Sequence, residues 1–358
     1  MNRKNKRTIC LFLLAGAATG CFSTADSRAG DERITYTRFP EEDTLIAETF
    51  TPDEANYMRY PFRIQKRGNH LYIHDLHGEQ HFMHIYEVGT MKHITSFARR
   101  GEGPEETLRV SEFHITSPDS IWLLDDSKRQ LTRWSFTPDD TVVRRMEEVD
   151  IGEAVGTPMD FCWQNDTSLF IPDYQGKCRI MTVNKAGHIV SKQGDIPSEN
   201  GIKDEYRGAV AQAWRCFIDY YPGKQLLVAA TQLGDVLELY DFKSGSRKVL
   251  VGPGEEPEYK LVPQGYAIPI GLMGYSDVQV TDHYIYAAYH GRTFKEIASS
   301  LSTEDGGRYL RVFRLDGTPV RCYHLDHAIY GIHVDEQQGI VWATDVNVEE
   351  QVLKYTLK

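Results

Sequence analysis

Eight side chains in this sequence combine cationic and aromatic chemistry: Arg59, Arg99, Arg100, Tyr206, Arg207, Tyr266, His290 and Arg292. A guanidinium group grips carboxylate or phosphate through two parallel hydrogen bonds, and aromatic rings supply stacking area. The set suits an anionic or sugar-like ligand. Arg99 and Arg100 also have acidic neighbours in Glu102, Glu105 and Glu106, and exposed pairs of that kind are common and weak. A second set, Asp75, Asp125, Asp173 and Asp345, recurs at equivalent points of a repeat. A ring of carboxylates could serve a metal or proton transfer, but Asp accepting backbone N–H bonds across a following turn explains it better. His70, His74, His77, His81 and His84 crowd one hairpin, in a spacing that matches no established metal-ligand motif. Gly-x-Ser-x-Gly, His-Glu-x-x-His and phosphate-loop patterns are absent, so the sequence supplies no catalytic residue, metal site or cofactor site.

The elements that carry these residues are strands. No helical period stands out, and short apolar or alternating runs are broken by Gly, Asp, Asn and Pro, an all-β signature. One run recurs six times, at Leu71–Asp75, Ile121–Asp125, Leu169–Asp173, Leu227–Thr231, Ile285–Tyr289 and Val341–Asp345. A second alternating strand follows each, at Phe82–Glu87, Leu131–Phe136, Arg179–Val183, Val236–Phe242, Tyr309–Leu315 and Val352–Leu357. An inner strand precedes them, as at Glu112–Thr116, Met159–Trp163, Trp214–Ile218, Val278–Thr281 and Tyr330–Val334. Radial repetition of four-stranded sheets is a six-bladed β-propeller. The last repeat stops after its third strand, and an open edge invites pairing. Thr44–Phe50 is expected to close the ring as the outer strand of blade six.

With strands A to D numbered outward, the B–C and D–A connections emerge on one face. The A–B and C–D connections emerge on the other, where every turn is short. The first face carries the long insertions, 98–111, 198–212, 252–272 and 290–308. Long ordered loops are usually functional, and the eight cationic and aromatic residues all fall on that face. The expectation is a binding site there, around the mouth of a central channel.

The repeat resembles the TolB-like six-bladed propeller lipoproteins of Bacteroidetes over residues 33–358. Its most specific part is Phe97-Ala-Arg-Arg-Gly-Glu-Gly-Pro-Glu-Glu106, similar to that family's Phe-x-x-x-Gly-x-Gly-Pro-x-Glu blade linker; Val251-Gly-Pro-Gly-Glu-Glu-Pro257 is an imperfect second copy and Gln193-Gly-Asp-Ile-Pro197 a poor third. The resemblance implies the fold and no general activity.

Residues 1–20 read as a signal peptide: Arg3, Lys4, Lys6 and Arg7 precede an apolar stretch and then Ala18-Thr19-Gly20-Cys21. This resembles the bacterial lipobox, which implies cleavage before Cys21 and its lipidation. Residues 21–32 are then a polar tether, and 33–358 the propeller. Phe22 in place of Asp fits sorting to the outer membrane, and the lack of an acidic cluster after Cys21 fits a periplasm-facing anchor. The whole chain carries 40 Lys and Arg against 51 Asp and Glu, a formal net charge of −11, which argues against nucleic acid as a partner. The remaining expectation is an envelope lipoprotein that binds an envelope protein, a peptide or an anionic glycan. The alternative is a hydrolase or lyase acting on a polysaccharide or ester at the same mouth. An enzyme would gather acid, base and cation tightly, whereas a binding protein would present a broad rim. Cys162, Cys178, Cys216 and Cys322 are expected to be free thiols, because strand B separates the first two and a disulfide needs Cα atoms within about 7 Å.

Overall fold

A computed structural model describes residues 31–52, 56–117, 119–139, 141–263, 265–300 and 304–358. The signal segment and Cys21 lie outside the described residues. Six antiparallel sheets follow one another around an axis. Blade one is Pro61–Arg67, His70–Asp75, His81–Glu87 and His93–Arg99; blade two is Glu112–Ser117, Ser120–Asp125, Gln130–Thr137 and Val142–Asp150. Blade three is Cys162–Asn165, Ser168–Pro172, Ile180–Asn184 and Ile189–Gln193, and blade four Cys216–Tyr221, Leu226–Thr231, Val236–Asp241 and Ser246–Val251. Blade five is Tyr275–Val280, Tyr284–Tyr289, Gly307–Arg314 and Pro319–Ile329; blade six opens with Ile332–Asp335, Ile340–Thr344 and Val352–Thr356.

The B strands read as continuous apolar runs because both of their faces are buried. In blade four, Leu227 and Ala229 pack towards blade three, while Leu226, Val228 and Ala230 pack towards blade five. Side chains alternate across a strand, so one run serves two cores.

Ring closure differs from the expectation in its extent. Strand β3 (Glu48–Phe50) pairs antiparallel with Val352–Lys354 and completes blade six. Thr44 and Leu45 belong instead to β2 (Glu41–Leu45), which pairs in parallel with Arg321–Leu325 as a fifth strand of blade five. Ahead of it, β1 (Asp31–Thr35) pairs in parallel with Arg247–Val251 as a fifth strand of blade four, and so begins two residues before position 33. The N-terminal segment laces three successive blades. Between β1 and β2, Phe39 is buried in the core shared by blades four and five.

Two buried ion networks fix this lacing. Glu238, fully buried, accepts from Arg179 Nε of blade three at 2.7 Å, from Arg247 at 2.7 Å and from Tyr240 Oη at 2.8 Å. Arg247 also holds Asp31 of β1 at 2.8 Å. Burial alone would raise the Glu238 carboxyl, but Arg179 and Arg247 outweigh it and keep the group below its ordinary range. Asp235 likewise accepts from Arg311 at 2.6 Å, Tyr275 at 2.9 Å and Tyr36 at 3.1 Å.

Two short helices, Arg207–Ala213 and Phe294–Ser299, sit in the long insertions. Each is under two turns, too short to show a period. The inner strand of blade three begins at Cys162 rather than Met159, because Asp160 accepts the Phe161 and Ile218 N–H groups in place of a ladder.

All four cysteines are free and buried. Cys178 lies in the B–C turn of blade three rather than on strand C, its N–H donated to Asp173 at 2.9 Å. Burial pushes the Cys178 and Cys216 thiols up to about 12 and Cys322 up to about 11, so thiolate, the reactive form, is scarce.

Glu238→Ala strands two buried guanidinium groups and should cost about 3–5 kcal/mol of stability in urea unfolding. Glu238→Gln, which keeps a side-chain acceptor, should lose less. A parent-like midpoint for Glu238→Ala would refute the role given to the network. Iodoacetamide applied to the native soluble chain should leave Cys162, Cys178, Cys216 and Cys322 unmodified and reach all four after denaturation, as read by mass spectrometry.

Candidate functional site

Each inner strand has a neighbour on one edge only, so its other edge carries backbone groups with no ladder partner. Side chains of the preceding blade satisfy them. Gln65 of blade one donates to Phe113 O at 3.0 Å and accepts from Ile115 N at 3.0 Å. Asp160 accepts from Ile218 N at 2.7 Å, Asp219 from Val280 N at 2.7 Å, and Asp277 from Ile332 N at 2.8 Å. Gln279 donates to Val334 O at 3.1 Å and accepts from Val334 N at 2.7 Å.

This belt lines a cavity of about 1060 Å³ along the axis. The cavity reaches the A–B turns, where Thr116, Asn165, Pro222, Asp282 and Glu336 form its rim. The channel therefore opens through the short-turn face, contrary to the expectation from loop length. Its other end is closed. Phe62 packs on Tyr330 with ring centroids 4.9 Å apart, and the Arg63 guanidinium lies 3.9 Å from the Phe62 centroid and 4.5 Å from that of Phe217. Beyond this floor, on the long-loop side, lies a small cavity of about 160 Å³.

The floor is charged. Arg63 Nε donates to Glu112 Oε2 at 2.9 Å and stands 3.9 Å from Asp277 Oδ1. Its Nη2 is buried without a protein partner. Burial lowers the Arg63 guanidinium's affinity for its proton, but Asp277, Glu112 and Asp160 together reverse that and raise it. Burial pushes Glu112 up to about 7 and Asp219 up to about 7, and raises Asp160 and Asp277. Burial also lowers His114 to about 4 and His333 to about 3, so both imidazoles are neutral. Carboxyl groups outnumber cationic ones along the channel wall, most of all towards the rim, where Asp166, Asp282, Asp335 and Glu336 lie. Nearer the rim, Trp122 and Trp163 meet with centroids 4.8 Å apart, and Lys185 Nζ lies 5.2 and 5.3 Å from them.

The eight residues singled out in the sequence are not brought together, and none lines either cavity. Arg59 pairs with Glu79, Arg99 with Glu106 at 3.5 Å, and Arg207 with Asp195. Arg100 donates to Gly78 O at 3.2 Å. His290 is buried and accepts the Arg292 N–H. Tyr206 packs at the edge of a core formed by the helix Arg207–Ala213 with Trp214, Val236 and Val249. Tyr266 is 69% exposed on a hairpin, Tyr259–Val262 with Tyr266–Pro269, laid over that helix. The insertions 198–212 and 252–272 thus cover the outer part of blade four, whereas Asp305 of 290–308 reaches the closed end and accepts from Tyr60 Oη.

The recurrent aspartates do cap turns. Asp75 accepts from Arg59, Tyr60 and His77 N–H groups, Asp125 from Leu108 and Lys128, and Asp173 from Gln175, Lys177 and Cys178. Asp345 accepts from Asn347 and meets His327 Nδ1 at 3.0 Å. The Gly-x-Gly-Pro linker has a steric reason: a Cβ on Gly101 would fall 1.9 Å from Glu106 Oε2, and the Gly103 N–H donates to that same oxygen. His74 is buried, with burial lowering it to about 3. Among the described residues no group of three or more His, Cys, Asp or Glu is placed to hold a metal ion.

The chain belongs to the TolB-like six-blade propeller family, whose model matches residues 38–337. Among solved structures it is similar to a Bacteroides fragilis protein named as exported, with TM-score 0.56, 11% identity and 91% of this chain matched to 99% of that one. A member of the DUF4221 family from Bacteroides vulgatus gives TM-score 0.54 at 11% identity, covering 87% and 97%. A streptogramin B lyase gives 0.51 at 12%, covering 88% and 98%. At these identities the likeness is one of fold. No curated protein matches the sequence.

Asp219→Asn keeps an acceptor for Val280 N and removes the charge. A carboxyl raised on folding stabilises most when protonated, so its contribution falls as pH rises from about 4, the unfolded value, to about 7. The melting-temperature difference between variant and parent should be near zero at pH 4 and favour the variant at pH 7.5. A difference independent of pH would contradict the burial of this charge.

Proposed function

We propose that this protein is an envelope lipoprotein that binds a ligand in its central channel through the short-turn face. One observation carries the reading: a cavity of about 1060 Å³, closed by Arg63 and Phe62 at one end and open at the other, a size suited to a small organic ligand or a segment of a polymer. Its acid excess favours a neutral or cationic ligand, such as a glycan or peptide segment, over the anionic glycan that the rim arginines suggested. The polar groups of the wall and the Arg63 Nη2 suit a ligand that donates and accepts hydrogen bonds.

Lipidation at Cys21 is supported by the order of basic, apolar and small residues before it, and Phe22 supports the outer membrane as destination. A hydrolase or lyase would also use Glu112, Asp160, Asp277 and Arg63. Binding is favoured because every oxygen of those three carboxylates already accepts a hydrogen bond. They hold backbone in place and would have to release it to act as bases.

The test is a thermal-shift and turnover screen of the soluble chain, residues 22–358, against neutral, amino and acidic oligosaccharides and envelope peptides. Hits should come from the neutral and amino classes and be lost in Thr116→Trp, which obstructs the rim. A hit that survives Thr116→Trp but is lost in Arg99→Ala would move the site to the long-loop face.

A further inference from the structure

The short-turn face bears the channel mouth and also the point where the N-terminal segment joins the propeller. Strand β1 runs parallel to Ser246–Val251, with Asp31 opposite Arg247 and Thr35 opposite Val251. Ser246–Val251 is the outer strand of blade four; it leaves a C–D turn on the short-turn face and ends on the long-loop face. Asp31 is therefore at the short-turn end of the blade. It is fastened there, because Arg247 donates to its carboxylate at 2.8 Å and Lys248 pairs with Glu32 at 3.5 Å. The chain cannot peel back from this point without giving up those contacts and the five-residue register.

We propose that the lipid anchor holds the short-turn face, and with it the channel mouth, towards the bilayer. The inference rests on lipidation at Cys21 as read above. Asp31 lies ten positions after Cys21, a stretch that fully extended spans at most about 36 Å. Apposing the long-loop face instead would require the tether to run back along the outer strand of blade four, roughly 20 Å for its six residues. More than half of the full reach would be spent before the membrane is met, at a cost in chain entropy. The hairpin that exposes Leu261, Tyr266 and Ile268 lies on the opposite face, so this apolar patch points away from the bilayer. A channel that opens at the membrane faces what is presented at its surface, such as a lipid-linked glycan.

The experiment uses the full-length lipidated protein reconstituted in phosphatidylethanolamine–phosphatidylglycerol vesicles that carry a headgroup energy acceptor. The four buried native thiols leave an introduced surface cysteine open to selective labelling. Donors are placed singly through Asp119→Cys and Lys224→Cys on the short-turn face, and through Glu102→Cys and Tyr266→Cys on the long-loop face. Transfer from the first pair should exceed that from the second by at least twofold. Cys21→Ser should release the protein from the vesicles. Equal transfer from both faces, or stronger transfer from Glu102 and Tyr266, would overturn the orientation while leaving the anchor intact. Vesicle association unchanged by Cys21→Ser would overturn the anchor and the orientation with it.

Discussion

In a propeller the innermost strand of each blade has an unpaired edge next to the axis, and water cannot reach all of it. This constraint decides the chemistry of the channel. The edge N–H groups of Ile115, Ile218, Val280, Ile332 and Val334 need acceptors, and Gln65, Asp160, Asp219, Asp277 and Gln279 supply them across the blade boundary. Carboxylates chosen to hold backbone must be buried together, so their charge becomes costly and their affinity for protons rises. Arg63 offsets part of that charge and, stacked on Phe62 and Phe217, also closes the floor. The groups that complete the ring are the groups that line the channel.

The outer rim solves the same problem in another way. Blade six lacks a fourth strand of its own and receives β3, while β1 and β2 cover the outer edges of blades four and five. A three-residue strand alone would be weak. Its hold comes from the segment before it, which is pinned by Phe39 in a core and by Arg247 and Arg311 through Asp31 and Tyr36. Because Arg179 and Arg247 share Glu238, the N-terminal segment is linked to blade three as well as blade four. Such buried pairs add specificity of arrangement more surely than stability.

Strands and blades were legible because period-two patterning repeats six times, and turn-capping aspartates because they end each second strand. The five-stranded blades were not, since β1 and β2 are charged on an exposed edge and show little apolar alternation. The channel mouth lies on the face opposite to the one expected, for a physical reason. Loop length reports where insertion is tolerated, and here two of the four insertions fold onto the exterior of blade four through Val210, Tyr259 and Ala267. A better signal was present in the inner strands, where Arg63, Gln65 and Arg67, or Asp277 and Gln279, alternate along one strand face. Polar residues at period two on the strand nearest the axis mark a wetted channel wall. What could not be read from one dimension is which end of that channel a phenylalanine and an arginine would close.

The two ends also differ in what change they tolerate. At the closed end, Asp160 borders both cavities and joins two blades, so altering it disturbs the ring before it alters recognition. At the open end, Thr116, Asn165, Pro222 and Asp282 stand at or beside the short A–B turns. The rim can change in sequence while the belt beneath it stays fixed. Substitution at the mouth therefore reshapes the channel opening without lengthening a loop and without rebuilding the hydrogen bonds that close the circle.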